Sequence, residues 1–329
     1  MSVGFSLFVV AILVLLAFGG VGGAGLYFLF GIIFPYAAFA VFLVGFGYRM
    51  VKWARAPVPF RIPTTCGQQK SLPWIKNSYF ENPYNAIGVI GRMALEVLLF
   101  RSLFRNTKVA LQDQKAVYGG AKWLWFAGLT FHWSFFLILF RHLRFFTEPV
   151  LPGVDLLASI DGFFEIAVPT LYLTDFGLLL GVTFLFIRRV VLPQIRYISL
   201  PSDYFPLFLI LGIALSGVFT RHIYKVDLLR VKELASSWIS FSFAVPDGIG
   251  LSFYVHLFLV SVLLAYFPMS KLMHMGGVFL SPTRNLANNN RMKRHINPWN
   301  YPVKVHTYEE YEDEFREKMK AAGLPVEKE

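Results

Sequence analysis

GAKWLWFAGLTFHWSFFLILFRH, residues 120 to 142, is apolar, long enough to cross a bilayer, and carries two histidines ten residues apart. GIGLSFYVHLFLVSVLLAYFPMSKLMH, residues 248 to 274, carries two more, eighteen apart. At the helical rise, His132 and His142 stand about 15 Å apart, and His256 and His274 about 27 Å. Eighteen residues return to the starting direction and ten leave about 80°, so each pair occupies one helix face. Two antiparallel helices marked in this way can clamp two stacked haems. A single membrane histidine is more often a packing or hydrogen-bonding residue, but four at two usable spacings read as a ligand set.

The rest of the chain agrees with a membrane setting. Its 329 residues are 56% hydrophobic, 17% aromatic and only 16% charged, with a mean hydropathy of +0.54. Six transmembrane helices are expected, over residues 3 to 22, 25 to 48, 120 to 142, 164 to 190, 203 to 221 and 248 to 272. The first apolar run has no preceding Lys or Arg and no convincing cleavage site, so it reads as a span, not a signal peptide. Pro35, Pro169 and Pro268 fall in or at the ends of spans, where kinks are tolerated. The net charge of +11 sits in loops flanking the spans. That is positive-inside topology, and it argues against nucleic acid. One cysteine, Cys66, excludes an internal disulfide and a four-thiolate cluster, and no Cys-x-x-Cys-His is present for covalent haem attachment.

Charge asymmetry orients the spans. Arg49, Lys52, Arg55, Arg61, Lys70 and Lys76 follow the second span, Arg188, Arg189 and Arg196 the fourth, and Arg284, Arg291, Lys293 and Arg294 the sixth. These regions and both termini are therefore expected on the cytoplasmic side of the inner membrane. The mixed-charge segments holding Arg144, Glu148, Asp155, Asp161 and Glu165, and Lys225, Asp227, Arg230, Lys232 and Glu233, are expected outside. The third span then runs outward and the sixth inward. His142 meets His256 at an outer iron and His132 meets His274 at an inner one, with His274 at or just past a helix end. Bis-histidine ligation leaves no open position, so such haems pass electrons. Arg141, Arg144 and Arg221 are placed either to neutralise haem propionates or to serve as interfacial anchors.

Four regions follow: an N-terminal transmembrane hairpin (1–48, its second helix also opening the bundle), a cytoplasmic loop (49–118), a di-haem core (119–279) and a cytoplasmic tail (280–329). The loop begins Pro-punctuated and extended. IGVIGRMALEVLLFRSLFRNTKVAL, with Arg92, Glu96, Arg101 and Arg105 among aliphatics, then suits an amphipathic helix on the membrane surface. In the tail, YEEYEDEFREKMKAAG reads as a charged helix ended by Gly323, disordered or docked on a partner subunit.

The histidine spacings, on the second and last of five consecutive spans, resemble the di-haem cytochrome b gamma subunit of respiratory nitrate reductase, over residues 25 to 280. The extra N-terminal span, the loop with PTTCGQQKSLPW and the tail NPWNYPVKVHTYEEYEDEFREKMKAAG resemble, over nearly the whole length, the DsrM family. These are membrane cytochromes of the DsrMKJOP complex, related to the cytochrome subunit of membrane-bound heterodisulfide reductase. The resemblance implies two haem b groups, menaquinol as electron donor, a cytoplasmic DsrK-like iron–sulfur subunit as partner, and DsrC trisulfide as eventual acceptor. It places quinol near the outer haem, where oxidation needs a proton acceptor beside a hydrogen-bonding cation. His222 and Arg144 lead that assignment, with Lys225 and Glu148 at similar depth; a solvent- or propionate-satisfied His222 is the competing reading.

Asp175, an acid within the fourth span, belongs to a proton path or bonds Thr174 or a neighbouring helix. His295 and His306 fall in the tail and carry no ligand role, while Cys66 is either buried and inert or close to a partner's cluster. The expected role is an electron-transfer subunit rather than a complete enzyme. A nitrate reductase-type gamma subunit and a non-redox anchor or transporter are the rivals, the latter opposed by the lack of an internal repeat or paired broken spans.

Overall fold

The computed structural model describes residues 2–58, 62, 67–162, 172–293 and 305–328. Cys66, Arg61, Glu165, Pro169, Arg294 and His295 lie outside the described residues, as does the beginning of the span expected from residue 164.

Helix α1 (Ser2–Phe18) runs on through a π-helical turn, Gly19–Gly23. Gly25, at φ +65°, reverses the chain at a position that strains any other residue. A second π-helical turn, Leu29–Ile33, leads into α2 (Phe34–Ala54). Then come α3 (Ala86–Leu99), α4 (Arg101–Phe104), strands β1 (Thr107–Gln112) and β2 (Lys115–Gly120), and α5 (Lys122–His142). Helices α6 (Pro152–Asp161), α7 (Leu173–Val191), α8 (Pro193–Ile198), α9 (Pro201–His222), α10 (Leu228–Ser240) and α11 (Leu251–Tyr266) follow. Two 3-10 turns, Phe267–Met269 and Lys271–Met273, lead to α12 (His274–Gly277), and α13 (Tyr308–Ala321) lies in the tail.

Among the described residues five helical stretches are long and apolar enough to cross a membrane: Ser2–Gly23, Leu29–Ala54, Lys122–Phe145, Pro201–His222 and Leu251–Met269. The protein is a multi-pass membrane protein. Of the expected six, the one starting at 164 is described only from Leu173, as α7, whose Asp175, Arg188 and Arg189 set it apart from the other five. Large apolar side chains such as Phe5, Leu15, Phe39 and Val44 point outward, as lipid contact requires.

Packing proceeds from α5 to α7, α9, α11 and α2 in turn, and α1 lies over α9 and α11. The arms of the N-terminal hairpin therefore each pack on α11. Helices α1, α5 and α9 share one direction and α2, α7 and α11 the other. One end of the bundle, here the near end, holds the chain's N-terminus, His132 and His274; the far end holds His142 and His256. In a bilayer, helices associate through close backbone approach at small residues. Gly177 and Gly181 of α7 supply it: a Cβ on Gly181 would stand 2.8 Å from Phe131 Cβ and 2.9 Å from Phe131 Cα on α5. Gly181→Ala is accordingly expected to destabilise the protein by about 1–3 kcal/mol through overpacking. Thermal unfolding in detergent reads this, with Gly4→Ala, which meets nothing within 4 Å, as the neutral comparison.

The loop expected to form one amphipathic helix is more varied. Asn85 caps α3 by accepting from Gly88 N at 2.9 Å, and Phe100, in the left-handed region at φ 49°, ends it. Beyond α4 the chain becomes an antiparallel hairpin turning at Asp113 and Gln114, both at positive φ, so that among the described residues one two-stranded sheet interrupts a helical fold. The loop and the chain after α12 form a cap over the near end. Arg92, 3% exposed, donates to Thr283 O at 3.0 Å, Asn288 Nδ2 to Asn82 Oδ1 at 2.8 Å, and Trp125 and Trp133 to the last carbonyls of α3.

In the tail, Thr307 and Glu310 form a capping box at the start of α13, and Gly323, at φ +70°, follows its end. The Glu312 carboxylate accepts the backbone N–H groups of Glu327 and Lys328, both at 2.8 Å, folding the chain end back on the helix. The Glu327 N–H above all, with Lys328 N–H and Arg316, holds this carboxyl below the usual carboxylate range. A lowered native pKa stabilises the hook fully above the unfolded carboxylate value and loses that contribution as pH falls through the native one. Amide exchange at Glu327 and Lys328 is thus expected to lose protection only below the ordinary glutamate range, and Glu312→Gln to lose it at neutral pH.

Candidate functional site

The four histidines of α5, α11 and α12 meet in two pairs. At the far end the rings of His142 and His256 are close to parallel, with centroids 6.4 Å apart and planes at 17°. At the near end His132 and His274 have centroids 5.9 Å apart, with planes at 83°. A metal bound at roughly 2 Å by each of two imidazoles, whose ring centres lie about 1 Å behind the nitrogens, separates centroids by about 6 Å. Both pairs match that span, and rotation of each ring about its own metal–nitrogen axis allows either interplanar angle.

Each histidine has its Nδ1 committed to a backbone carbonyl. His132 donates to Gly128 O at 2.7 Å, His142 to Ile138 O at 2.7 Å, His256 to Ile213 O at 3.1 Å, and His274 to Lys271 O at 2.9 Å. A proton on Nδ1 leaves the lone pair on Nε2, the tautomer of an axial ligand with its outer nitrogen anchored. Ser216 Oγ also lies 3.0 Å from His256 Nδ1. None of the four rings is packed away: His142 and His274 are exposed, His132 and His256 half-buried. His142 keeps exposed surface although protein surrounds it on most sides, which describes the wall of a cleft. Gly217 makes room for the far pair, since a Cβ there would stand 3.2 Å from His256 Cε1. Donor set, tautomers, spacing and cradle together fit two bis-histidine haems.

Around the far pair lies a charged cluster. Arg141, whose side chain is 7% exposed, donates to Asp175 Oδ1 at 2.7 Å. Its Nε lies 3.2 Å from Asp161 Oδ2, close enough to pair but poorly angled for a hydrogen bond. Asp161 also accepts from Thr174 N at 2.9 Å and Thr174 Oγ1 at 2.6 Å, tying α6 to the start of α7. The Tyr172 ring lies under two guanidinium groups, Arg141 at 3.7 Å and Arg221 at 4.4 Å. Arg141, grouped by sequence with the propionate candidates, thus already faces two carboxylates. Asp175 pairs with Arg141 and lies near enough to His142 and His222 to act on both electrostatically.

His222, at the last turn of α9, has a buried Nε2 with no hydrogen-bond partner among the described residues. Arg144 belongs to the same cluster, beside Tyr172 and Arg221. Glu148 instead pairs with Lys232 at the exposed rim, and Lys225 is exposed. His306 is exposed just before α13. Asp161 and Tyr172 complete the far-end cluster and Phe100 the near pair, where its ring packs edge-on to His132 with centroids 5.0 Å apart. No motif marks these three residues, because each acts through a neighbour distant in sequence.

A family model for the nitrate reductase gamma subunit matches residues 88–294. The chain is 47% identical over 280 residues to the Hdr-like menaquinol oxidoreductase cytochrome b-like subunit of Archaeoglobus fulgidus, covering 82% of this chain and 83% of the relative. It is 41% identical over 276 residues to the protein of the same description from Archaeoglobus profundus, covering 80% and 81%.

Proposed function

The chain belongs to the nitrate reductase gamma subunit family, and from that we propose that it is the membrane cytochrome b subunit of a menaquinol oxidoreductase, carrying two haem b groups. The observation that carries this reading is the pair of histidine couples, each with Nδ1 bonded to a carbonyl and Nε2 left to ligate. His142 and His256 would hold the far haem, and His132 and His274 the near one. When bound, such haems take up and release single electrons and so link the two membrane faces.

The chain's own residues supply the rest. His222 and Arg144 lie where a quinol would bind beside the far pair: His222 offers a nitrogen to accept a hydroxyl proton, and Arg144 a cation to orient the oxygen. Arg221, which stacks on and bonds to Tyr172, is assigned to a haem carboxylate, whereas the acids facing Arg141 favour a structural role for it. Basic residues crowd the near end, including Arg49, Lys52, Arg189, Arg284 and Lys293, which supports a cytoplasmic near end in the inner membrane and both termini inside. The near-end cap and charged tail would then meet a cytoplasmic iron–sulfur subunit of the heterodisulfide-reductase type, DsrK-like, in sulfite or sulfur metabolism. The relatives' description as Hdr-like favours that partner over one from nitrate respiration.

The visible spectrum of the purified protein tests the reading. A reduced b-type spectrum, developed by a menaquinol analogue as well as by dithionite, is expected. Absence of haem would overturn the cytochrome assignment, and reduction by dithionite alone would overturn the quinol assignment.

A further inference from the structure

His274 has the least regular helix around it. Helix α11 ends at Tyr266, and two 3-10 turns, the first containing Pro268, precede the histidine. Such turns have poorer hydrogen-bond geometry than an α-helix and hold a side chain less firmly. The last of them also borders a cavity of about 470 Å³ lined by Arg49, Trp53, Tyr266, Lys271, Met273 and His274 itself, so packing between protein side chains does not by itself brace the turn.

Polar bonds do. His274 Nδ1 donates to Lys271 O at 2.9 Å, and Lys271 Nζ donates to Asp203 Oδ1 at 2.6 Å. Asp203, 8% exposed in the first turn of α9, accepts Leu200 N through its other oxygen at 3.0 Å, and Arg189 of α7 stands 3.9 Å away. Ser270 Oγ accepts Leu272 N at 3.1 Å and closes the turn. A continuous path therefore joins the ends of α7 and α9 to the imidazole across the bundle. The Asp203 side chain, 7% exposed, faces both cations, and Lys271, itself 69% exposed, is the one that hydrogen-bonds to it.

We infer that Asp203 and Lys271 are positioning residues for His274: their ion pair pins the turn Lys271–Met273 to α9, and the Lys271 carbonyl then fixes the direction in which His274 Nε2 points. This rests on the reading of His274 as a haem ligand. Outer contacts of this kind set the orientation of a metal-binding imidazole, and their loss commonly lowers affinity 10- to 100-fold.

The experiment compares the purified full-length parent with Lys271→Met, Lys271→Arg and Asp203→Asn, reading haem per protein and the low-spin signals by electron paramagnetic resonance. Lys271→Met leaves the Asp203 bond to Leu200 intact and so separates the ion pair from the helix cap. It is expected to lose one haem, or to convert one of two low-spin signals to high spin, with the other unchanged. Asp203→Asn should give the same signature and Lys271→Arg should restore the parent's. Two unaltered low-spin signals in Lys271→Met overturn the inference, as does joint loss of both, which marks a general folding role. A parent with fewer than two haems overturns the ligand reading itself and this inference with it.

Discussion

Replacing His256 with alanine is expected to leave a protein that binds one haem where the parent binds two, with the near-end group spectroscopically intact. The ring of His256 faces His142 at 6.4 Å and is held by Ile213 O and Ser216 on α9, so its loss removes one axial ligand and leaves His142 without a counterpart. His132 and His274 form a separate couple at the other end of the bundle, braced by Gly128 O and Lys271 O, and no bond in the far couple supports them. Haem quantification against protein decides the matter. Loss of both groups, or of neither, contradicts a pairing of His142 with His256.

The second large effect is expected at Arg141. Its guanidinium stands between Asp161 and Asp175, over the ring of Tyr172, with side-chain exposures of 7%, 8% and 17% for the arginine and the two acids. Arg141→Met strands two nearly buried carboxylates, a loss that costs about 3–5 kcal/mol when one partner of a buried pair is removed. The thermal midpoint in detergent should fall accordingly. Arg141→Lys should fall between the two, because a point-like ammonium cannot face both acids as the planar fork does. Adding Asp161→Asn to Arg141→Met should recover part of the loss by removing one stranded charge. A midpoint for Arg141→Met equal to the parent's would show that the cluster does not hold α5, α6 and α7 together.

Much of the fold is legible in the residues. Apolar runs of membrane-crossing length produce Ser2–Gly23, Leu29–Ala54, Lys122–Phe145, Pro201–His222 and Leu251–Met269 with end shifts of a few residues, because hydrocarbon thickness imposes both length and composition. The tail helix is equally readable, as capping chemistry is local: Thr307 and Glu310 start it and Gly323 follows it. The hairpin at Thr107–Gly120 is not, since its Lys, Asp and Gln residues continue the charge pattern of α3, and only the left-handed conformations at Phe100, Asp113 and Gln114 break the helix and turn the chain. Helices α6 and α10 are not expected either, although α10 carries a local start signal, Asp227 capping it by accepting the N–H groups of Leu229 and Arg230.

The sequence by itself determined the two histidine helices, their opposite directions and hence which histidine faces which, because helical rise and charge asymmetry are properties of one segment at a time. What it could not determine is the set of contacts between helices around those imidazoles, beyond the carbonyls three or four residues back that hold His132, His142 and His274. Gly217 clearing space for His256, Asp161 and Asp175 facing Arg141, Tyr172 beneath the arginines, and Asp203 reaching Lys271 are contacts between residues 20 to 68 positions apart. No local propensity encodes such contacts. They exist only once α5, α7, α9 and α11 have packed, when burial removes water and leaves each charge and ring nitrogen dependent on the partner that the fold brings to it.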